Sequence, residues 1–254
     1  MRISFKRGSK LFLVVYLAVL MCLSIVVNKT DSASVYLNGV KRKLPIYSVD
    51  RLDNKISISF DCAYGADYTD SLLDTLDKYN VKCTFFVVKF WVQKYPDKVQ
   101  KIIERGHEIG THSSTHPYMS KLSNEQIAKE LNDSISAITT ITNKPVELFR
   151  APYGDYDNEV ISVAENLKLY TIQWDVDSLD WKDLSSSEIT SRIVNKTKSG
   201  SIILCHNNGL NTHKALPNVL ESLQNKGYEF VKISELIYKD NYVIDNTGKQ
   251  GRVT

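Results

Sequence analysis

The chain has 254 residues, enough for one large domain or two small ones, and its apolar and charged fractions are those of a folded globular protein. Its net charge is +3, and Arg2, Lys6, Arg7 and Lys10 place that excess at the very start. The rest is close to neutral, which excludes a general nucleic-acid binder, because such a protein concentrates Lys and Arg on one face.

After the basic leader of residues 1–10 comes an unbroken apolar run, 11–27, in which only Cys22 and Ser24 are weakly polar. About 17 residues is the lower limit for a helix that spans a bilayer, whereas the core of a signal peptide is shorter, roughly 7–15 residues. Residues 28–34 offer no clean small-x-small cleavage site, because Asp31 occupies the critical place. The run therefore reads as a single uncleaved transmembrane anchor, with a cleaved signal as the alternative. The basic side stays in the cytoplasm, so the bulk of the chain is expected outside the cell membrane. Residues 28–53 read as a connector, with a hairpin signal at Asn38-Gly39 between apolar residues. The folded domain is expected over 54–238, and 239–254 reads as a polar, unpatterned surface tail.

Within 54–238 strand-like and helix-like segments alternate. Strands are expected at 56–60, 84–88, 108–111, 146–149, 169–174, 201–205 and 228–231. Helices are expected at 71–79, 97–105, from Ser123 onward, 158–167, 186–196 and 213–226. The clearest helix carries Ile127, Leu131, Ile135 and Ile138 on one stripe behind a Ser123/Gln126 capping box. That is about seven βα units, which requires a parallel sheet covered by helices. The pattern alone leaves a closed barrel and an open sheet equally open.

Asp61, His112, Arg150 and His206 each follow a predicted strand, at the edge where parallel α/β folds build their sites. His112 and His116 form H-x-x-x-H, a spacing at which two neutral imidazoles can meet one metal ion. Pro117 disfavours a helix there, so the pair is placed on a strand-to-loop exit. Asp61 ends a buried strand, where a carboxylate needs a partner, and Arg150 is the obvious one. His206 follows three apolar residues and suits a general acid; Asp177 or Asp180 could orient its ring. His107 and His213 read as surface or satisfied core residues. Cys62, Cys83 and Cys205 show neither a C-x-x-C pair nor a close-spaced framework, so disulfide stapling is not how this domain holds together.

These segments, in this order, resemble the polysaccharide deacetylases of the NodB-homology type, carbohydrate esterase family four. Ser59-Phe60-Asp61-Cys62-Ala63-Tyr64-Gly65 is similar to the family's TFDDG motif, and His112 to His116 matches H-[ST]-x-x-H. Arg150-Ala151-Pro152-Tyr153 matches R-x-P-[YF], Asp177 to Trp181 matches D-x-x-D-W, and Leu204-Cys205-His206 matches L-x-H. The resemblance covers roughly 54–234, and the first motif is most similar to the sporulation-associated, PdaB-like branch. It implies a distorted (β/α) barrel of about seven parallel strands, preceded here by the one N-terminal transmembrane helix. It also implies metal-assisted removal of N-acetyl groups from amino sugars of a cell-wall glycan such as peptidoglycan. By resemblance Asp61 is the base, His206 the acid, Arg150 the partner of Asp61, and Asp180 the tuner of His206. Tyr153 contributes a backbone N–H to the oxyanion, and Trp181 walls the substrate pocket. His112 and His116 hold the metal, zinc by expectation. The family's third ligand is an Asp, and this chain has Cys62 there. The third ligand is then Cys62, Asp67 or Asp61, with zinc loosely bound, or the site is inactive. The competing readings are a glycan-binding protein on a degenerate scaffold and an O-acetyl esterase.

Overall fold

The computed structural model of the protein describes residues 42–253; the leader, the anchor and the hairpin expected at Asn38 lie outside the described residues. Among the described residues no helix is long and apolar enough to cross a membrane.

Seven parallel strands form one curved sheet in the order β6-β5-β4-β3-β2-β8-β7. They are β2 Lys55–Cys62, β3 Thr84–Val87, β4 Glu108–Thr111, β5 Leu148–Phe149, β6 Tyr170–Thr171, β7 Val176–Asp177 and β8 Ile202–His206. A short strand β9, Glu229–Phe230, pairs with the start of β2. β6 and β7 are the two ends of this order, so the wall is a distorted barrel with a break between them. The helices Thr69–Lys78, Pro96–Glu104, Asn124–Thr142, Asn158–Asn166, Ser186–Lys196 and Thr212–Asn225 fall between the strands as the alternation requires.

The described residues bury three apolar clusters, and the period-two alternation of β2 turns its apolar side chains into the largest of them. Ile56, Ile58, Phe60 and Cys62 point outward into the large cluster beneath the helices, with Leu72, Leu76, Ile203 and Leu220. Phe86, Leu148, Ile172 and Ile202 fill a separate cluster inside the barrel. Gly110 on β4 is what admits the ring of Phe86, since a Cβ there would lie 2.7 Å from it.

The structure differs from the sequence reading at both ends of the domain. The segment expected to be a connector carries β1, Ser48–Val49, and Ile46 and Val49 belong to the inner cluster. This segment crosses the break in the barrel: Ile46 bonds to Thr171 and Gln173, and Val49 N–H donates to the Gly200 carbonyl at 2.9 Å. The expected surface tail forms β10 Tyr242–Ile244 and β11 Lys249–Arg252, and β11 pairs with β1. Gln250 is fully buried there, and its amide both accepts from the Tyr238 N–H and donates to the Tyr238 carbonyl. A polar residue satisfied only by chain from far away carries no local signal. The helices Lys89–Lys94 and Ile233–Leu236 and the two-residue strand β7 are further elements that the sequence reading does not include.

Candidate active site

β2, β4, β5 and β8 all end on the same side of the barrel, and their last residues surround one cleft of about 560 Å³. Asp61, His112, His116, Tyr153, Asp177, Trp181 and His206 line it, with Tyr64 and Trp174. The register explains the convergence: Asp61 on β2 pairs with His206 on β8, and Thr111, just before His112, pairs with Phe149, just before Arg150.

Arg150 is completely buried, and its Nη1 donates to Asp61 Oδ1 at 2.7 Å. Its Nη2 donates to the Gln173 carbonyl, and its guanidinium lies 4.1 Å from the Phe86 ring centroid. Burial is the largest single influence and works against the Asp61 carboxylate, but the charges of Arg150, His112 and His206 and the Arg150 hydrogen bond together hold the group below its ordinary value. The backbone carbonyl of Arg150 accepts from His112 Nδ1 at 2.7 Å. That bond fixes the tautomer and leaves His112 Nε2 facing the cleft, 3.6 Å from Asp61 Oδ2.

His116 sits in a left-handed turn, φ 61°, and its ring stands edge-on to those of His112 and Tyr153, with centroids 5.0 and 4.5 Å away. Burial, then the neighbouring His112, push its pKa down to about 4, so it is neutral and able to ligate near pH 7. Tyr153 also takes a left-handed conformation, φ 59°, and exposes its ring at the rim, stacked on Tyr118.

Across the cleft, His206 Nδ1 lies 2.7 Å from Asp180 Oδ1, and the His206 N–H donates to Asp180 Oδ2 at 2.8 Å. Burial lowers the imidazole's affinity for a proton, but the hydrogen bond and charge of Asp180 prevail and raise it above its ordinary value. Of the two carboxylates considered for this task, Asp180 performs it; Asp177 accepts instead from the Leu179 N–H and lines the cleft.

Comparison with known proteins settles the kinship. Residues 48–172 match the family model for polysaccharide deacetylase. A peptidoglycan-N-acetylglucosamine deacetylase of Bacillus cereus is 33% identical over 196 residues, which are 75% of this chain and 92% of that protein. This chain belongs to the polysaccharide deacetylase family. The peptidoglycan-N-acetylglucosamine deacetylase PgdA of Listeria monocytogenes is 34% identical over 76% of this chain, but the match spans only 41% of that longer protein. Among solved structures, a CE4 family pseudoenzyme from Bacillus anthracis superposes with a TM-score of 0.74 and 31% identity, covering 82% of this chain and 70% of that one. A mutant of the same pseudoenzyme, described as having restored enzymatic activity, superposes equally well.

Deacetylases of the family generally depend on a metal ion. His112 and His116 suit one: both are neutral and both line the cleft. Cys62 does not. Its thiol is fully buried in the outer core and approaches the Phe60 carbonyl, and burial followed by the charge of Asp61 raises its pKa well above the thiol value. Asp67 is also absent from the cleft lining, and Asp61 places its Oδ2 3.6 Å from His112 Nε2. Among the described residues no three His, Cys, Asp or Glu side chains form a ready cage. Among the described residues the three cysteines, Cys62, Cys83 and Cys205, are free and buried. His107, expected at the surface or as a satisfied core residue, is buried with its Nδ1 accepting from the Cys83 N–H, while its Nε2 has no hydrogen-bond partner among the described residues.

Two positioning residues escaped sequence reasoning. Glu130, on the helix Asn124–Thr142, holds the loop between the two histidines: its carboxylate accepts from the N–H groups of Ser114 and Thr115, each at 2.8 Å. Thr212 donates to Asp180 Oδ2 at 2.7 Å and fixes the carboxylate behind His206. Both lie outside the motifs, and an acid on an amphipathic helix reads as part of a solvated face.

The orientation of Cys62 has a measurable consequence. In calorimetric zinc titrations the Cys62→Ala protein should bind as the parent does, while His116→Ala should lose more than about tenfold in affinity. Equal losses in the two variants would make the thiol a ligand.

Proposed function

We propose that this protein hydrolyses N-acetyl groups from amino sugars of a cell-wall polysaccharide, with peptidoglycan as the polymer. The observation that carries this reading is a buried, ionised Asp61 facing a protonatable His206 across one cleft, each held by its own charged partner. Two groups with pKa values pushed apart supply a base and an acid at the same pH.

Asp61 takes a proton from water as the water oxygen attacks the acetamide carbonyl carbon. Arg150 keeps Asp61 ionised and aimed. The backbone N–H of Tyr153 donates to the oxyanion that forms. His206 then gives its proton to the nitrogen as the C–N bond breaks, so that acetate and a free amino sugar leave. Asp180 holds the His206 ring and favours its charged form. Trp181 and the Tyr153 ring flank the sugar. A divalent ion held by His112 and His116, zinc in this reading, would polarise the acetamide carbonyl and make bound water far easier to deprotonate. With Cys62 turned away and Asp61 kept as the base, two imidazoles alone make a weak site, since three protein ligands are usual.

The substrate follows from the relatives, two of which are named as peptidoglycan-N-acetylglucosamine deacetylases, and from the apolar run 11–27 behind a basic leader. That run anchors the domain outside the cell membrane, against the wall. One observation favours a second reading. The outward-facing Cys62 and the similarity to a pseudoenzyme suit a glycan-binding protein without turnover.

Acetate release from purified peptidoglycan, with and without added divalent ions, separates the two readings. Release that rises with zinc is expected, and no release under any metal leaves only binding. Asp61→Asn and His206→Ala should each slow release by roughly 10²–10⁴; an undiminished rate in either variant removes that residue's role. The rate should climb as Asp61 ionises, below its ordinary value of 3.8, and fall as His206 loses its proton, above 6.5. Asp180→Asn takes away what raises His206, so the alkaline limb should move to lower pH; an unmoved limb assigns the acid elsewhere.

The topology has its own test. Protease added to intact protoplasts should digest residues 42–254 and spare the leader, and a protected domain would reverse the orientation.

A further inference from the structure

Three residues in the loops around the cleft hold a left-handed backbone without being glycine: Ser113 at φ 71°, His116 at φ 61° and Tyr153 at φ 59°. Such conformations persist only where their surroundings over-determine them. Ser113 and His116 lie in the loop after β4, and Tyr153 lies in the loop after β5. Glu130 holds the near end of the histidine loop. The far end has a different holder. Ser120, in the short 3₁₀ turn Met119–Lys121, donates its N–H to Asp155 Oδ2 at 2.8 Å and its hydroxyl to Asp155 Oδ1 at 2.9 Å.

Asp155 stands two residues after Tyr153, so this fork clasps the histidine loop to the Tyr153 loop. The rings repeat the tie. Tyr118 stacks on Tyr153 with centroids 4.4 Å apart and planes 19° from parallel, and His116 meets the same ring edge-on. We propose that Asp155 is a positioning residue, which through Ser120 locks the two loops into one unit and so fixes His116 relative to the Tyr153 backbone N–H. The inference rests on the deacetylase reading, in which His116 is a ligand and the Tyr153 N–H an oxyanion donor. It adds a residue that stands outside all five motifs.

The demand for such a lock is geometric. In that reading both loops serve the same acetamide oxygen, one from the metal side and one through the N–H. Relative drift of about 1 Å between such groups costs about 100-fold in rate. The helix Asn124–Thr142 separates the two loops in sequence, so chain connectivity alone does not set their distance. A carboxylate suits the task, because its two oxygens accept two donors at once. The contact between Ser120 and Asp155 is only partly buried, so cutting it leaves the hydrophobic clusters in place.

The test uses the purified full chain, zinc ion as the probe, and the variants Asp155→Ala and Asp155→Asn. Calorimetry reads zinc affinity, hydrogen–deuterium exchange reads residues 113–121 and 150–156, and acetate release reads turnover. In the parent, zinc should slow exchange in both segments. In Asp155→Ala it should slow only the first, with zinc affinity lower by about tenfold or more. The same variant should lose about tenfold or more in kcat with KM within about twofold, because the oxyanion donor acts in the transition state. Asp155→Asn keeps an acceptor for the Ser120 N–H and should stay close to the parent on every readout. Exchange slowed only in residues 113–121 of the parent overturns the clasp, as does an Asp155→Ala protein in which both segments still respond. An Asp155→Ala protein that merely melts at lower temperature, with zinc affinity and kcat kept, overturns it too. Coupled exchange without acetate release keeps the clasp and removes deacetylation. Acetate release without coupled exchange does the reverse. A parent that takes up no zinc overturns the clasp together with the ligand assignment.

Discussion

The site depends on one buried ion pair, Asp61–Arg150. Removing two charges from water costs several kcal/mol per ion, and their attraction offsets this only when the geometry is good and the remaining donors are satisfied. Here Asp61 is 6% and Arg150 0% exposed, and the contact is 2.7 Å. The second guanidinium arm has the Gln173 carbonyl and the flat face has Phe86, whose place depends on Gly110 lacking a side chain, while the buried Nε has no hydrogen-bond partner among the described residues. The same residue then orients the metal-binding side, because the Arg150 carbonyl sets the tautomer of His112. Arg150 thus joins the proposed base to the proposed ligands, and the barrel wall from β2 to β5 exists in this register around it.

Much of the site was legible because polar groups at the ends of buried strands have few reasons to be there. Asp61, His112, Arg150 and His206 stood out that way, and the structure brings them to one cleft with Asp180 behind His206. Six strands of the parallel wall were likewise visible in the alternation; the seventh expected strand, 228–231, is β9, which pairs only with the start of β2, and the wall's own seventh strand is β7. What was lost turns on length and distance. The first strand was read as ending at Phe60, which left Cys62 free to turn toward the metal. It runs to Cys62 in this chain, and Cys62 continues the outward face of Ile56, Ile58 and Phe60 while Asp61 faces the cleft. The pairing of β1 with β11 joins chain segments some 200 residues apart through a buried Gln250, and no local pattern announces that.

This geometry gives the family's first motif a different sense in this chain. Where the motif has two adjacent acids, an inward base and a ligand beside it, this chain keeps the first and places the second position in the hydrophobic core. Asp61 is left next to both the water it would activate and the imidazoles that would hold the ion. The similar pseudoenzyme from Bacillus anthracis, with its activity-restored mutant, shows that this scaffold retains its shape with or without turnover. The cleft with exposed rings around Asp61 and His206 serves either outcome, since holding a glycan and cutting its acetamide make the same first demand.

The dependence of the site on its ion pair is tested most directly by a double-mutant cycle in urea unfolding. Arg150→Met alone leaves Asp61 buried without a partner and should lower stability by about 3–5 kcal/mol. Adding Asp61→Leu removes the orphaned charge and should recover a large part of that loss. A single Arg150→Met protein as stable as the parent, or a double variant no better than the single one, would contradict the account.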